Sequence, residues 1–225
     1  MTASTLKGMP LRYLIGTDNP GDGFDSMVTE CGYDVTRPVR HGPSIGYCNL
    51  FDEKGTGKYG PYLVPGETAR HYREGQINPN GPGWRRNLGE QFTRRRIQGF
   101  RYVELDNPDA YAISDVLGAV EVARDYGLSV VAKNPLLMET HAQEYLSHPN
   151  IVGAIVENDA GTVHQMVDLR SKAGRPDLPI WFVFFGGARH IADGAALIAG
   201  QFQNVWVSYS QIGEYEASTQ LVKRK

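Results

Sequence analysis

Gly99–Tyr111, GFRYVELDNPDAY, decides how the rest of the chain is read. Its first half carries a strand pattern. Phe100, Tyr102 and Val103 favour a pleated backbone, and Gly99 and Pro108 bound the run. Side chains alternate faces along a strand, so Glu104 and Asp106 share one face. Asp106 is the last residue before Asn107-Pro108, where proline forbids further pairing. A carboxylate at the carboxyl end of a strand, opening into a loop, is where α/β enzymes keep reactive groups. Taken alone, Asp-Asn-Pro also reads as a turn that caps a helix. The flanking sequence weakens that reading.

Downstream, strands and helices alternate. Ser114 is positioned to cap a helix through Asp125 that Gly127 stops. Leu128–Ala132 is an apolar strand ending at Lys133-Asn134-Pro135. A helix near Glu139–Leu146 leads to a strand at Ile151–Val156, which ends at Glu157-Asn158-Asp159. Thr162–Lys172 is helical, Ile180–Phe185 is a strand, Ile191–Ala199 a helix and Val205–Tyr209 a last strand. Just upstream, Asn87–Gln98 reads as a helix with a partial stripe of Leu88, Phe92 and Ile97. Its run Arg94-Arg95-Arg96 reads as a solvated face.

The front of the chain is less regular. Arg12–Thr17 reads as a strand ending at Asp18-Asn19, Phe24–Cys31 as a short helix, and Tyr33–Val39 as β-prone but broken by Pro38. Ser44–Phe51 is a strand. Residues 52–84 form a long polar stretch rich in Gly, Pro and Asn, with a short helix at Glu67–Arg73; loops of this length are usually functional. Following a strand's carboxyl end, this stretch is expected to cover the rim that carries Asp106.

Apolar strands alternating with amphipathic helices indicate a parallel sheet covered on both faces. The expected fold is therefore α/β: a single (β/α)8 TIM barrel over residues 1–225, irregular or incomplete at its N-terminal end. An open doubly wound sheet is the competing architecture, but GTDNPGDG after the first strand lacks GxGxxG, and Gly-Thr-Gly-Lys at 55–58 lacks the Walker spacing.

Composition narrows the class. The 225 residues are 41% hydrophobic and 21% charged, with a net charge of −2, as expected of an ordinary globular protein. Nothing in that balance calls for a nucleic-acid or anionic-membrane partner. MTASTLKGMPLRYLIG lacks a signal peptide's apolar core, so the expectation is a cytoplasmic protein, or a secreted one if a leader precedes it. Cys31 and Cys48 match no zinc spacing, and one disulfide between them is the alternative to free thiols. The six histidines form no HExxH pattern. No metal and no cofactor are expected.

Each strand ends in polar residues: Asp18, Asn49 or Asp52, Asp106-Asn107, Lys133-Asn134, Glu157-Asn158 and Ser208-Ser210. In a barrel these converge on the active-site rim. Asp106 and Glu157, one strand apart, are then the candidate catalytic pair. Two carboxylates flanking a scissile bond are the minimum for glycoside hydrolysis. Glu104 sits below Asp106, either raising a neighbour's affinity for protons or pairing with Lys133. Asp18, Asn107, Lys133 and Asn134 are candidates to orient a sugar, and Tyr47, Tyr111 and Tyr209 to stack on one. Trp181 and Trp206, near strand starts, are expected in the core.

At these residues the chain resembles glycoside hydrolase family 114, the endo-α-1,4-polygalactosaminidase-like barrels. GFRYVELDNPDAY is similar to the family's D-G-V-E-x-D-N-x-D-x-Y strand-loop, and GLSVVAKNP at 127–135 to its G-L-x-x-x-L-K-N strand. Val156-Glu157-Asn158 stands where the second acidic residue falls. IGYCNL at 45–50 and the segment with Trp84 resemble earlier elements. The resemblance runs from about Ile45 to Phe185. It implies catalytic carboxylates at Asp106 and Glu157, and metal-free cleavage of a galactosamine-type polysaccharide. Phe184-Phe185-Gly186 and Arg101-Tyr102 depart from the family pattern. Two other readings compete: a barrel that binds carbohydrate without hydrolysis, and an aldolase using Lys133 as a Schiff base. Sequence gives no oligomeric state.

Overall fold

The computed structural model describes residues 11–13, 27–29, 45–51, 63–69, 74–185, 189–213 and 216–221. Asp18, the β-prone Tyr33–Val39 and the 52–62 part of the long polar stretch lie outside the described residues.

Among the described residues the main sheet contains nine strands. In spatial order they are β1 (Leu11–Tyr13), β2 (Met27–Thr29), β3 (Ile45–Asn49), β6 (Tyr102–Asp106), β7 (Ser129–Lys133), β8 (Ile151–Glu157), β9 (Ile180–Phe185), β10 (Val205–Gly213) and β11 (Glu216–Leu221). Every neighbouring pair from β1 to β10 is parallel; β11 adds antiparallel to β10. β1 also lies against β10 and β11. The remaining two strands, β4 (Leu63–Ala69) and β5 (Glu74–Ile77), form a separate antiparallel pair. The helices are α1 (Pro82–Ile97), α2 (Ile113–Asp125), α3 (Ala142–Ser147), α4 (Val163–Lys172) and α5 (Arg189–Ala199). Among the described residues no helix is long and apolar enough to cross a membrane.

Strand alternation sorts the core into two layers. Val103, Leu105, Val130, Ala132, Phe182 and Phe184 meet the helices through residues such as Phe92, Val120 and Met166. The alternate residues Ile45, Tyr102, Val131, Ile155, Trp181 and Val183 pack on one another on the opposite face. That second face continues upward into Glu104, Asp106, Lys133 and Glu157. Trp181 is buried there, and half-buried Trp206 stacks on it with ring centroids 5.9 Å apart.

Glu157 reaches this face because β8 is bulged. Pairing runs Val130 to Ile151, then Val131 to Gly153, so Val152 is an extra residue. Strict alternation from inward-facing Val152 would turn Ala154 and Val156 inward and Glu157 toward the helices. With the bulge, Ala154 and Val156 pack on the helix layer while Ile155 shares the inner face.

Several expectations require correction. The helix at Phe24–Cys31 is replaced by strand at Met27–Thr29, where β2 pairs with β1. Glu67–Ala69 belongs to β4, not to a helix, because the chain pairs with β5. α2 begins after Ala112, with no side-chain cap from Ser114. Ile97 is 82% exposed instead of completing a stripe, whereas Arg95 is only 1% exposed, so the arginine run is not one solvated face. Cys48 is buried, and Cys31 lies outside the described residues.

Gly153 tests the bulge. A Cβ there would stand 2.5 Å from Cζ3 of Trp181, a buried ring that cannot move aside. Gly153→Ala is expected to destabilise by about 1–3 kcal/mol, read as a lower urea midpoint. An unchanged midpoint would show that Trp181 is loosely held.

Candidate active site

The three strand-end residues of β6, β7 and β8 are Asp106, Lys133 and Glu157. Each is followed by asparagine with left-handed φ: Asn107 at 60°, Asn134 at 44° and Asn158 at 53°. Asparagine enters that region more readily than other side chains bearing a Cβ. The turn ends strand pairing immediately and leaves the preceding side chain at the sheet's edge.

Lys133 lies between the acids. Its Nζ is 3.2 Å from Asp106 Oδ2, 3.3 Å from Glu157 Oε1 and 3.8 Å from Glu104 Oε1. The Lys133 side chain is 7% exposed and Glu104 wholly buried, whereas Asp106 and Glu157 are each 21% exposed. The reactive-looking carboxylates are thus the two that reach solvent. Burial by itself pushes the Lys133 pKa down. Glu104, Asp106 and Glu157 outweigh it, and the net shift is upward. Glu104 contributes despite its distance, since it is wholly buried and poorly screened by water. A Schiff-base lysine needs the opposite, an amine easily deprotonated.

Asp106 is held on both oxygens. Tyr47 donates its hydroxyl to Oδ2 at 2.8 Å, and the Asn107 backbone N–H donates to Oδ1 at 2.9 Å. Asn49 Nδ2 donates to the Tyr47 hydroxyl at 3.0 Å, and Asn107 Nδ2 donates to Asn49 Oδ1 at 2.7 Å. The Tyr47 ring also faces the Lys133 ammonium, 5.5 Å from its centroid. Glu157 is held differently. Its N–H donates to Asn134 Oδ1 at 2.9 Å, while Asn134 Nδ2 reaches Glu157 Oε2 at 3.4 Å.

The structure therefore brings Tyr47, Glu104, Asp106, Asn107, Lys133, Asn134 and Glu157 together. It does not bring Tyr111 and Tyr209 to them. Tyr111 is buried against Trp84, its hydroxyl donating to the Leu50 carbonyl at 2.9 Å and accepting from the Ile77 N–H at 3.1 Å. Burial pushes its pKa up. Tyr209 belongs to the helix-side layer, under the Arg189 guanidinium. Asn49 proves to be more than a strand end, since it ties Tyr47 to Asn107. The described end of the long polar stretch does sit beside the segment after Asp106: Gln76 Nε2 donates to the Ala110 carbonyl at 2.6 Å. Among the described residues no group of His, Cys, Asp and Glu side chains is placed to hold a metal ion.

No protein-family model matches the chain, and no curated protein matches it in sequence. Solved structures do match. Ega3 from Aspergillus fumigatus, crystallised in complex with galactosamine, superposes with a TM-score of 0.68 at 11% identity, over 95% of each chain. The glycoside hydrolase domain of PelA from Pseudomonas aeruginosa superposes with a TM-score of 0.58 at 13% identity, over 94% of this chain and 98% of that one. At such identities the likeness is one of fold, and it extends over nearly the whole chain.

Lys133→Met should expose the electrostatic logic. It strands three like charges, and breaking a buried pair costs about 3–5 kcal/mol at neutral pH. The wild-type lysine has a raised pKa, so its contribution is complete below the ordinary lysine range and is lost only in strong alkali. The deficit of the variant should shrink as acid neutralises the carboxylates. Urea unfolding at several pH values measures this, and a deficit that stays constant from pH 7 to 4 would contradict it.

Proposed function

We propose that this chain is a glycosidase cleaving an amino-sugar polysaccharide, with Asp106 and Glu157 as its two working carboxylates. The observation that carries the reading is the pair itself: two part-exposed carboxylates at the ends of the strands on either side of β7, oriented by separate hydrogen-bond sets around one ammonium. The fold shared with Ega3 and with the PelA glycoside hydrolase domain supports it, as does the galactosamine bound to Ega3. We take the chain as a single domain whose parallel sheet closes into a barrel, a reading favoured by β1 lying against β10.

The geometry also favours a division of labour. Asp106 accepts from Tyr47 and from the Asn107 N–H and contacts Lys133. These donors suit a carboxylate that must stay charged and attack the anomeric carbon. Glu157 has fewer donors and suits proton transfer to the leaving oxygen, and later from water. In the first step the Asp106 oxygen bonds to the anomeric carbon as the glycosidic bond breaks, and the leaving oxygen takes the Glu157 proton. In the second, water gives a proton to Glu157 while its oxygen bonds to the anomeric carbon and the bond to Asp106 breaks.

The separation favours retention of configuration. Asp106 Oδ2 and Glu157 Oε1 touch one nitrogen at 3.2 and 3.3 Å, so they are at most about 6.5 Å apart. An inverting pair needs about 6.5–9.5 Å to admit water, whereas a retaining pair sits near 5–5.5 Å.

Asp106→Asn and Glu157→Gln should each keep the fold and lose about 10²–10⁴-fold in turnover on a galactosamine polymer, with polymer binding much less affected. NMR of the first product should show the starting anomeric configuration. Turnover that survives both substitutions would move the chemistry elsewhere. Wild-type binding without turnover would favour the carbohydrate-binding reading.

A further inference from the structure

Helix α1 buries three polar side chains on one stripe. Asn87, Gln91 and Arg95 are 2%, 2% and 1% exposed. They are four residues apart, which stacks them along one helix face. Opposite them runs β3 and its continuation. Asn87 Nδ2 donates to the Phe51 carbonyl at 3.2 Å. Gln91 takes both backbone groups of Asn49: Oε1 accepts the N–H at 2.8 Å and Nε2 donates to the carbonyl at 2.7 Å. Arg95 Nε donates to the Tyr47 carbonyl at 2.8 Å. Gln91 Nε2 also reaches Asn87 Oδ1 at 3.2 Å, which links the rungs.

The rungs match in pitch. Four helix residues rise about 6.0 Å, and two strand residues about 6.6 Å. A helix antiparallel to the strand can therefore meet every second residue with every fourth of its own. The bonded strand groups face away from β6, whose pairing uses the other edge; Leu50 N, for instance, donates to Asp106 O. On the free edge the described pairing with β2 stops at Thr29 and Ile45. Side chains of α1 stand where a strand neighbour would. Gly46 permits this, since a Cβ there would lie 2.9 Å from Arg95 Cδ.

The strand held this way carries Tyr47 and Asn49, which hold Asp106 and Asn107. We propose that Asn87, Gln91 and Arg95 are positioning residues for Asp106, fixing the height of β3 so that the Tyr47 hydroxyl meets the carboxylate. This rests on the reading of Asp106 as the reacting carboxylate. The bonds they make to β3 and its continuation are to backbone groups, so their effect reaches Asp106 through the strand, by way of Tyr47. Other charged or titratable groups around Asp106 are Glu104 on β6, Lys133 on β7, Glu157 on β8 and, from α3, Tyr145. The substitutions below leave all of them in place; Gln91→Glu adds a carboxyl of its own, and Arg95→Lys, which keeps its charge, is the control for that.

The test compares Gln91→Glu, Arg95→Lys and Tyr47→Phe, singly and with each ladder variant combined with Tyr47→Phe. Gln91→Glu keeps the acceptor for Asn49 N–H and loses the donor to its carbonyl. Thermal melting checks the fold; Asn87→Ser, at the end of the ladder, replaces Gln91→Glu if that variant does not fold. Two readouts follow: the pH profile of kcat and KM on a galactosamine polymer, and the ¹³C carboxyl signal of Asp106 against pH. The expected result is a roughly ten- to hundredfold lower kcat at little-changed KM, the size of one lost hydrogen bond to a charged group. The Asp106 signal should titrate at higher pH than in wild type. Each double variant should be no worse than Tyr47→Phe alone, because the effects share one path. Ladder variants whose Asp106 signal titrates as in wild type, or whose losses add to that of Tyr47→Phe, would overturn the proposal. A wild type without turnover would sink the glycosidase reading, and the carboxyl titration would still decide the ladder.

Discussion

A single ammonium shared by three carboxylates is the constraint around which this structure is arranged. Lys133 stands at the end of the middle strand of three, with Glu104 and Asp106 on one flank and Glu157 on the other. Burying charges is costly unless partners meet closely, so strand register here is fixed by electrostatics as well as by packing. Leu105 pairs with Ala132, which brings Asp106 level with Lys133. Lys133 pairs with Ile155, which leaves Glu157 one step above. Without the extra residue at Val152, Glu157 would face the helices and the ammonium would lose one of its three partners.

Much of this was legible in the sequence because strand-end chemistry is local. Asp-Asn-Pro, Lys-Asn-Pro and Glu-Asn-Asp each follow an apolar run, and each proved to be a strand end with a left-handed asparagine. Most helices and strands after Trp84 also follow from periodicity; β11 does not, since the last strand expected is Val205–Tyr209, and α3 starts only at Ala142 because the chain is non-helical at Glu139. Their reading needed only neighbours a few residues apart.

What was not legible depends on long-range partners. The three arginines 94–96 looked like one solvated run, yet only Arg95 continues the four-residue spacing of Asn87 and Gln91. The signal was polar spacing, which an apolar stripe hides. Three-residue strands such as Met27–Thr29 leave too little pattern to tell from a short helix. Tyr209 was readable after all: it shares a strand face with Val205 and Val207, and that face meets α5, while Trp206 takes the other. Tyr111 follows no such rule. Its place is set by Trp84, Leu50 and Ile77, remote in sequence. At the bulge in β8 Trp181 passes over Gly153, a contact that the β8 sequence alone does not encode.

The asparagines show how the rim is braced. Each ends its own strand and serves a neighbour. Asn107, after β6, bonds Asn49 on β3, and Asn49 in turn supports the tyrosine that holds Asp106. Asn134, after β7, holds both the backbone and the carboxylate of Glu157 on β8. The turn that frees a reactive side chain thus also braces the adjacent strand, and the two carboxylates are oriented from opposite sides. Lys133 touches both sets, through a flexible four-carbon stem where the asparagines are short and fixed. Orientation of each carboxylate is therefore set by rigid neighbours, while the charge that holds the pair together sits on the most adaptable side chain of the site. The proposed mechanism, in which Asp106 attacks as the carboxylate and Glu157 gives and retrieves a proton, is suited by that combination: fixed directions, and a counter-charge able to follow the proton.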